Sequence, residues 1–353
     1  MSELWSRLGF LAIALVVYRI GTHIPIPGIN PEQVAALFQQ SQGTILQYFN
    51  LFSGGALERM SIFALSVVPY ISSAIVMQLF SNSVPYLQEL KKDGQAGRNK
   101  ITQYTRYGTV IFALIQSSAL TVTLQTAGLI DAGSIFSAFV AVISIVTGTM
   151  FLMWLGEQIS ERGIGNGISI IIATSIITGV PRAFGQALEQ TQQGDLNYLL
   201  LIVLAVLTLL VVAFVVFVEN AQRKITVNYA QRNQVRGMIQ APSSFLPLKL
   251  NMSGVIPAIF ASTFLLFPAS LSSWFGNIDG LGGLQEFSLY LNPGQPLYIL
   301  LFVILIVSFC YIWLALTFSS NDIAENLKKG GAFIPGIRPG EQTASFIDLI
   351  LSR

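Results

Sequence analysis

The sequence predicts an all-α polytopic membrane protein, a helical bundle of about eight spans. Three observations carry this. Hydrophobic residues make up 53% of the 353-residue chain and charged residues 10%, against roughly a quarter charged in an ordinary soluble domain. Apolar runs recur evenly, with no linker rich in Pro, Gly or Ser between halves. Once those runs are read as alternating spans, nearly all basic residues fall on one side of the membrane.

About 20 consecutive apolar residues cross the hydrocarbon core as a helix. Spans are expected near residues 8–24, 62–80, 107–124, 135–155, 168–180, 198–218, 255–275 and 297–318. The first could be taken for a signal peptide, with Arg7 ahead of an apolar run. No small-residue cleavage pattern follows it, Arg19 interrupts the run and the turn Pro25-Ile26-Pro27-Gly28 comes next, so it reads as a retained span. The fifth is short and carries Thr174, Ser175 and Thr178, so it is expected to face protein or water rather than lipid. Pro69, Pro257 and Pro268 fall inside expected spans, where each removes a backbone donor and favours a kink. The single cysteine, Cys310, lies in an apolar run and leaves no intrachain disulfide.

Alternation from a cytosolic N-terminus puts 16 of the 19 basic residues inside, leaving Arg59 and Arg182 outside and Arg19 within a span. The positive-inside bias therefore sets the orientation. The sequon Asn251-Met252-Ser253 then falls on the cytosolic side, where no glycan is added.

Three stretches are not ordinary spans. Residues 45–52 are apolar and aromatic but too short to cross, and Ser53-Gly54-Gly55 breaks them; a re-entrant or capping helix and an interfacial helix fit equally. Between the sixth and seventh spans, Ile225, Val227 and Tyr229 alternate with Thr226 and Asn228, the period of a small hairpin. Arg223, Lys224, Arg232, Arg236 and Lys249 flank it. After the eighth span, Pro and Gly in 334–340 prescribe a fixed turn with Arg338 at its tip. Topology-setting charge and anionic headgroups explain the basicity of both loops but not their length or turn chemistry.

The chemistry of intramembrane enzymes is missing: there is no His-Glu-x-x-His helix, no Ser with a His partner and no paired aspartate within spans. No catalytic, metal-binding or cofactor-binding residue is expected. His23, the sole histidine, reads as a polar end-residue of the first span. Gly163-Ile164-Gly165-Asn166-Gly167 lacks the strand and the Lys-Ser/Thr pair of a phosphate loop and reads as a tight turn. Ion-coupled transporters bury ionisable groups near the midplane, and only Arg19 lies within a span here. A passive conduit gated by partners is the stronger class, over a small-solute transporter or a scaffold without a pore.

The stretches Ile24-Pro25-Ile26-Pro27-Gly28, Phe52-Ser53-Gly54-Gly55-Ala56-Leu57, Gly94 with Gly97-Arg98, Gln103-Tyr104-Thr105-Arg106-Tyr107-Gly108, Trp154-Leu155-Gly156-Glu157-Gln158, Gly163 to Gly167, Gly254-Val255-Ile256-Pro257 and Pro335 to Thr343 resemble, in order, the SecY family. These are the channel-forming subunits of the bacterial protein translocase. The resemblance implies a ten-span molecule around a central pore, of which about eight spans are present; a ninth should begin where the chain stops at Arg353. It divides the chain into an N-terminal half over 1–180 and a partial C-terminal half over 181–353, with basic loops at 219–251 and 319–353.

The same resemblance implies a function and its residues. Unfolded secretory polypeptides would cross the bacterial cytoplasmic membrane through a ring of Val67, Ile71, Ile168, Ile172 and Ile259. A plug near 45–57, including Ile45, Tyr48, Phe49, Phe52, Gly54 and Gly55, would sit under that ring. Within each ring pair the spacing of four puts both side chains on one helix face. A lateral gate of the second, third, seventh and eighth spans, with gate kinks at Pro69 and Pro257, would release apolar segments into lipid. Arg223, Lys224, Arg232, Arg236, Lys249 and Arg338 would dock the ribosome, through its RNA phosphates, or the SecA motor. Implied partners are also the SecE and SecG subunits, signal peptides, nascent chains and membrane lipids.

Overall fold

The computed structural model describes residues 2–30, 33–34, 50, 52–126, 128–130, 135–194, 197–229, 244–275 and 295–351. The chain packs as two units, one of Met1–Leu196 with Ile259–Leu305 and one of Asn197–Ala258 with Ile306–Arg353.

In the first unit the helices are α1 (Ser2–Gly21), α2 (Val68–Ser83), α3 (Pro85–Lys92), α4 (Gly94–Thr126), α5 (Ile135–Arg162) and α6 (Gly167–Gln193). The second unit opens with α7 (Tyr198–Asn220), β1 (Gln222–Tyr229) and β2 (Ser244–Lys249). Helices α8 (Ile256–Phe275) and α9 (Pro296–Thr317) run through the division, and α10 (Ser320–Lys329), β3 (Ala332–Phe333) and α11 (Glu341–Leu351) complete the second unit. Among the described residues, six helices are long and apolar enough to cross a membrane, and Val68–Ser81 and Ile256–Leu265 are shorter apolar helices.

The expected second span is where the sequence reading departs most from the structure. Residues 53–67 are turns and a bridge, and the helix begins only at Val68. Met60 and Ser66 take positive φ, 42° and 51°, which side chains adopt only when their surroundings over-determine it. Here they do: Ile26 N donates to Met60 O at 2.9 Å and Ile62 N to Ile24 O at 3.1 Å, so the segment after α1 pairs with 60–62. Ser66 Oγ donates to Phe52 O at 3.3 Å. Buried non-helical backbone is thereby satisfied within the protein.

Pro69 is consequently not a kink, since it stands in the first turn of α2, where its missing N–H has no intrahelical acceptor to lose. Pro257, the second residue of α8, starts that helix in the same way. The interior prolines are Pro268 in α8 and Pro181 in α6.

The fifth span is not short. Helix α6 runs 27 residues, capped at its start by Asn166, whose side chain accepts from Ser169 N, and ended by Gly194 at φ 87°. Its start is pressed onto α5: Gly167 N donates to Ser160 Oγ at 2.8 Å, and a Cβ on Gly167 would collide with the carbonyl of Gly156. The glycine-rich turn is thus a packing device, with Gly165 at φ 72° supplying the reversal.

In the second unit α7 buries none of its residues, as expected of a helix bathed in lipid. The expected hairpin forms, β1 pairing antiparallel with β2 from Gln222↔Lys249 to Val227↔Ser244. A third strand, β3, adds to β1 at Asn228↔Phe333, giving the order β2-β1-β3. Its two residues are too few to carry a period. The two basic loops therefore fold as one module over a core of Ile225, Val227, Leu248, Ala332 and Ile334.

Candidate functional site

All five aliphatic positions singled out as a ring lie in one apolar cluster. Val67 caps α2 and Ile71 follows one turn later; Ile168 and Ile172 stand one turn apart at the start of α6; Ile259 is in the first turn of α8. Val67 and Ile172 are buried and the other three partly so. Tyr18, Phe63 and Phe151 form a stacked file in the same cluster, with centroids 6.1 and 5.9 Å apart. Three segments thus contribute side chains that interlock by shape and offer no hydrogen bonds.

The 52–67 turn segment shares this cluster through Phe52, Ala56, Phe63 and Val67 and is held in addition by polar contacts. Gly54 takes φ 64°, and a Cβ there would lie 3.2 Å from Ser175 Cα and 3.3 Å from the Tyr18 hydroxyl. Its carbonyl accepts from Arg19 Nη1 at 3.2 Å and from Arg59 Nη2 at 3.1 Å. Gly55 O accepts from Arg59 Nε at 3.1 Å, and the Tyr18 hydroxyl bonds Ser53 O and Ser175 Oγ. His23 Nε2 meets Arg59 Nη1 at 2.8 Å, so His23 buttresses a guanidinium. Phe52, Gly54 and Gly55 belong to this segment, whereas Ile45, Tyr48 and Phe49 lie outside the described residues.

Sequence reasoning missed the ion pair that ties the segment to α6. Arg182 donates to both Glu58 oxygens, at 2.6 and 2.7 Å, and Asn50 donates to Glu58 Oε2 at 3.1 Å while its own Oδ1 accepts from Glu58 N at 3.0 Å. The Arg182 guanidinium, more than burial opposes it, holds the Glu58 carboxyl below its ordinary range. Alternation of the expected spans puts both charges on one side, but nothing local joins residues 124 apart. A second such pair, Arg106 on Glu157 at 2.9 and 2.8 Å, joins α4 to α5.

The basic module presents its charges on a rigid frame. Lys224 and Lys249 lie on the solvent face of the sheet, opposite the face of Ile225 and Val227, and Arg223 is exposed at its start. Ile337 N donates to Ile334 O at 3.1 Å with Gly336 at φ 83°, the turn that Pro335-Gly336 prescribes. Arg338 follows, exposed, its carbonyl pinned by Thr343 Oγ1 at 2.9 Å. Arg232 and Arg236 lie outside the described residues. The sequon is a local turn: Asn251 Oδ1 accepts from Gly254 N at 3.0 Å and its amide donates to Glu219 at 3.1 Å.

The sequence model of the SecY family matches residues 61–353. The protein translocase subunit SecY of Pseudomonas aeruginosa is 58% identical over all of this chain, which spans 80% of its length. The solved structure of a protein conducting channel superposes with TM-score 0.69 at 18% identity, covering 98% of this chain and 81% of the other. Sec61 in the canine ribosome–channel complex from the endoplasmic reticulum gives TM-score 0.66 at 17% identity, over 99% and 82%. At these identities the two structures speak for the fold, while the family match and the bacterial relative speak for descent: this multi-pass membrane protein belongs to the SecY family.

Proposed function

We propose that this chain is the protein-conducting channel subunit of a bacterial translocase, passing unfolded secretory polypeptides across the cytoplasmic membrane and releasing apolar segments sideways into lipid. The observation that carries this reading is the meeting of Val67, Ile71, Ile168, Ile172 and Ile259 in one apolar cluster against a non-helical turn segment. Flexible aliphatic side chains close around a moving peptide without bonding to it, and a narrow apolar throat resists wetting by ions. The segment ending in Phe52, Gly54 and Gly55 is the plug beneath that throat. The 1–180 and 181–353 halves flank the pore, with the N-terminus in the cytosol as the basic loops require. Helices α2, α4, α8 and α9 line the exit to lipid, driven by transfer of about 25 cal/mol per Å² of apolar surface. Arg223, Lys224, Lys249 and Arg338, with Arg232 and Arg236, dock the ribosome or SecA, and SecE and SecG complete the complex.

The test is photo-crosslinking from a stalled secretory chain in vesicles holding the complete translocon. Probes at Val67, Ile71, Ile172 and Ile259 are expected to capture the chain. Failure at all four while the chain is demonstrably mid-transit overturns the ring.

A further inference from the structure

The contacts that close the throat and those that hold the turn segment meet on one helix. Ile172 and Arg182 are both on α6, ten residues and about 15 Å of helix axis apart. Pro181 sits immediately before Arg182 and removes one backbone hydrogen bond there, so α6 bends most easily where it grips the segment. On the segment side, Glu58 is enclosed: Asn50 bonds both its backbone N and its carboxylate, closing a loop from 50 to 58 that an ion pair ties to Arg182.

Asn50 lies within the stretch assigned to the plug, and Glu58 directly after it. Withdrawing that stretch pulls on Asn50, then on Glu58, and must part Glu58 from Arg182. The Arg182 side chain is 55% exposed and that of Glu58 only 11%, so water replaces one partner readily and the other poorly. Such a pair holds without locking. The Gly54 and Gly55 carbonyls, which accept from Arg19 and Arg59, are separate polar anchors of the same segment.

We propose that the Glu58–Arg182 pair, braced by Asn50, is a latch that sets how readily the plug leaves its seat, and therefore how strong a signal sequence must be to open this channel. The proposal rests on the channel reading above. It makes Glu58 and Arg182 specificity-determining residues that never touch the throat. Because the latch and Ile172 share α6, a bound signal sequence weakens the pair and a broken pair favours signal-sequence binding, by the reciprocity of linkage.

The complete translocon carrying this chain is reconstituted in vesicles, and translocation of a substrate with a weakened signal sequence is measured against one with a normal signal sequence. Glu58→Gln and Arg182→Gln are each expected to raise that ratio about threefold to tenfold, the range for one partly exposed bidentate pair. The double variant should exceed neither single, since the two act as a unit. A ratio unchanged in both singles, or a double in which the two effects multiply, overturns the latch. In a Cys310→Ser background, Glu58→Cys with Arg182→Cys is then bridged by a flexible bis-maleimide. Bridging is expected to cut translocation of the normal substrate at least tenfold, and full activity while bridged overturns the latch independently. Failure of the unaltered translocon to move either substrate would instead sink the channel reading, and the latch with it.

Discussion

The proposed throat and the proposed docking module are built on opposite principles. In the throat, side chains from three segments meet with no directional bond, so closure depends on shape and is lost by small degrees. In the module, backbone ladders and a Pro-Gly turn hold cations at fixed positions, so recognition depends on particular charges and their geometry. Under the proposed function a channel needs both: a seal tolerant of any peptide, and a dock that admits only particular partners. The consequence is that damage to the first should alter selectivity while transport persists, and damage to the second should abolish transport while selectivity persists.

The sharpest break is at Arg338. Arg338→Glu is expected to lower translocation in vesicles more than about tenfold at normal channel abundance and orientation, since the remaining inside charges set topology. Arg338→Lys keeps the charge but loses the planar fork, and an intermediate activity is expected. Full activity in the Glu variant ends the docking role, and full activity in the Lys variant reduces it to charge alone.

A milder effect of the other kind is expected in the throat. Val67, Ile71, Ile172 or Ile259 changed to Asn should wet the seal, raising ion leak and acceptance of weak signal sequences by about threefold to tenfold while normal substrates still cross. Unchanged leak and stringency across all four would dissolve the contrast with the module. Phe52→Cys, in a background lacking Cys310, sharpens it further. Phe52 is partly buried against the throat cluster, and its labelling by an outer-side thiol reagent should rise about twofold or more while substrate is in transit. Equal labelling of idle and active channels would mean a static segment.

The smallest effect is in pH. The Glu58 carboxyl titrates below its ordinary value of 4.5 because Arg182 and Asn50 favour its charged form, with Arg59 adding a lesser pull in the same direction. A depressed carboxyl contributes stability that is complete above the ordinary value and fades only as pH falls through the lowered one. Stringency governed by this pair should therefore stay flat from about pH 8 to about pH 5, and signal-sequence assays over that range are expected to show no slope. A slope present in the unaltered channel and absent in Glu58→Gln would contradict the lowered pKa.

Much of this was legible because it is local. The hairpin showed in the alternation of Ile225, Val227 and Tyr229, and the turn before Arg338 in Pro335-Gly336. The short strand Ala332–Phe333 did not show, since two residues carry no pattern and its partner lies a hundred positions earlier in the chain. Pro69 and Pro257 were misplaced for a related reason: hydropathy sees a continuous apolar run and cannot tell where within it a helix begins.

Composition by itself determined that the chain crosses a membrane repeatedly, because it is a sum over residues that needs no knowledge of which residues touch. Tertiary structure alone decided that residues 53–67 turn instead of spiralling, because Ile24, Ile26 and Phe52 supply the bonds that a helix would have supplied to itself. It alone decided that Glu58 meets Arg182 across 124 residues. Pairing at that distance depends on how closely the turn segment packs on α6, where a Cβ on Gly54 would lie 3.2 Å from Ser175 Cα, a fit to backbone that no side-chain pattern records.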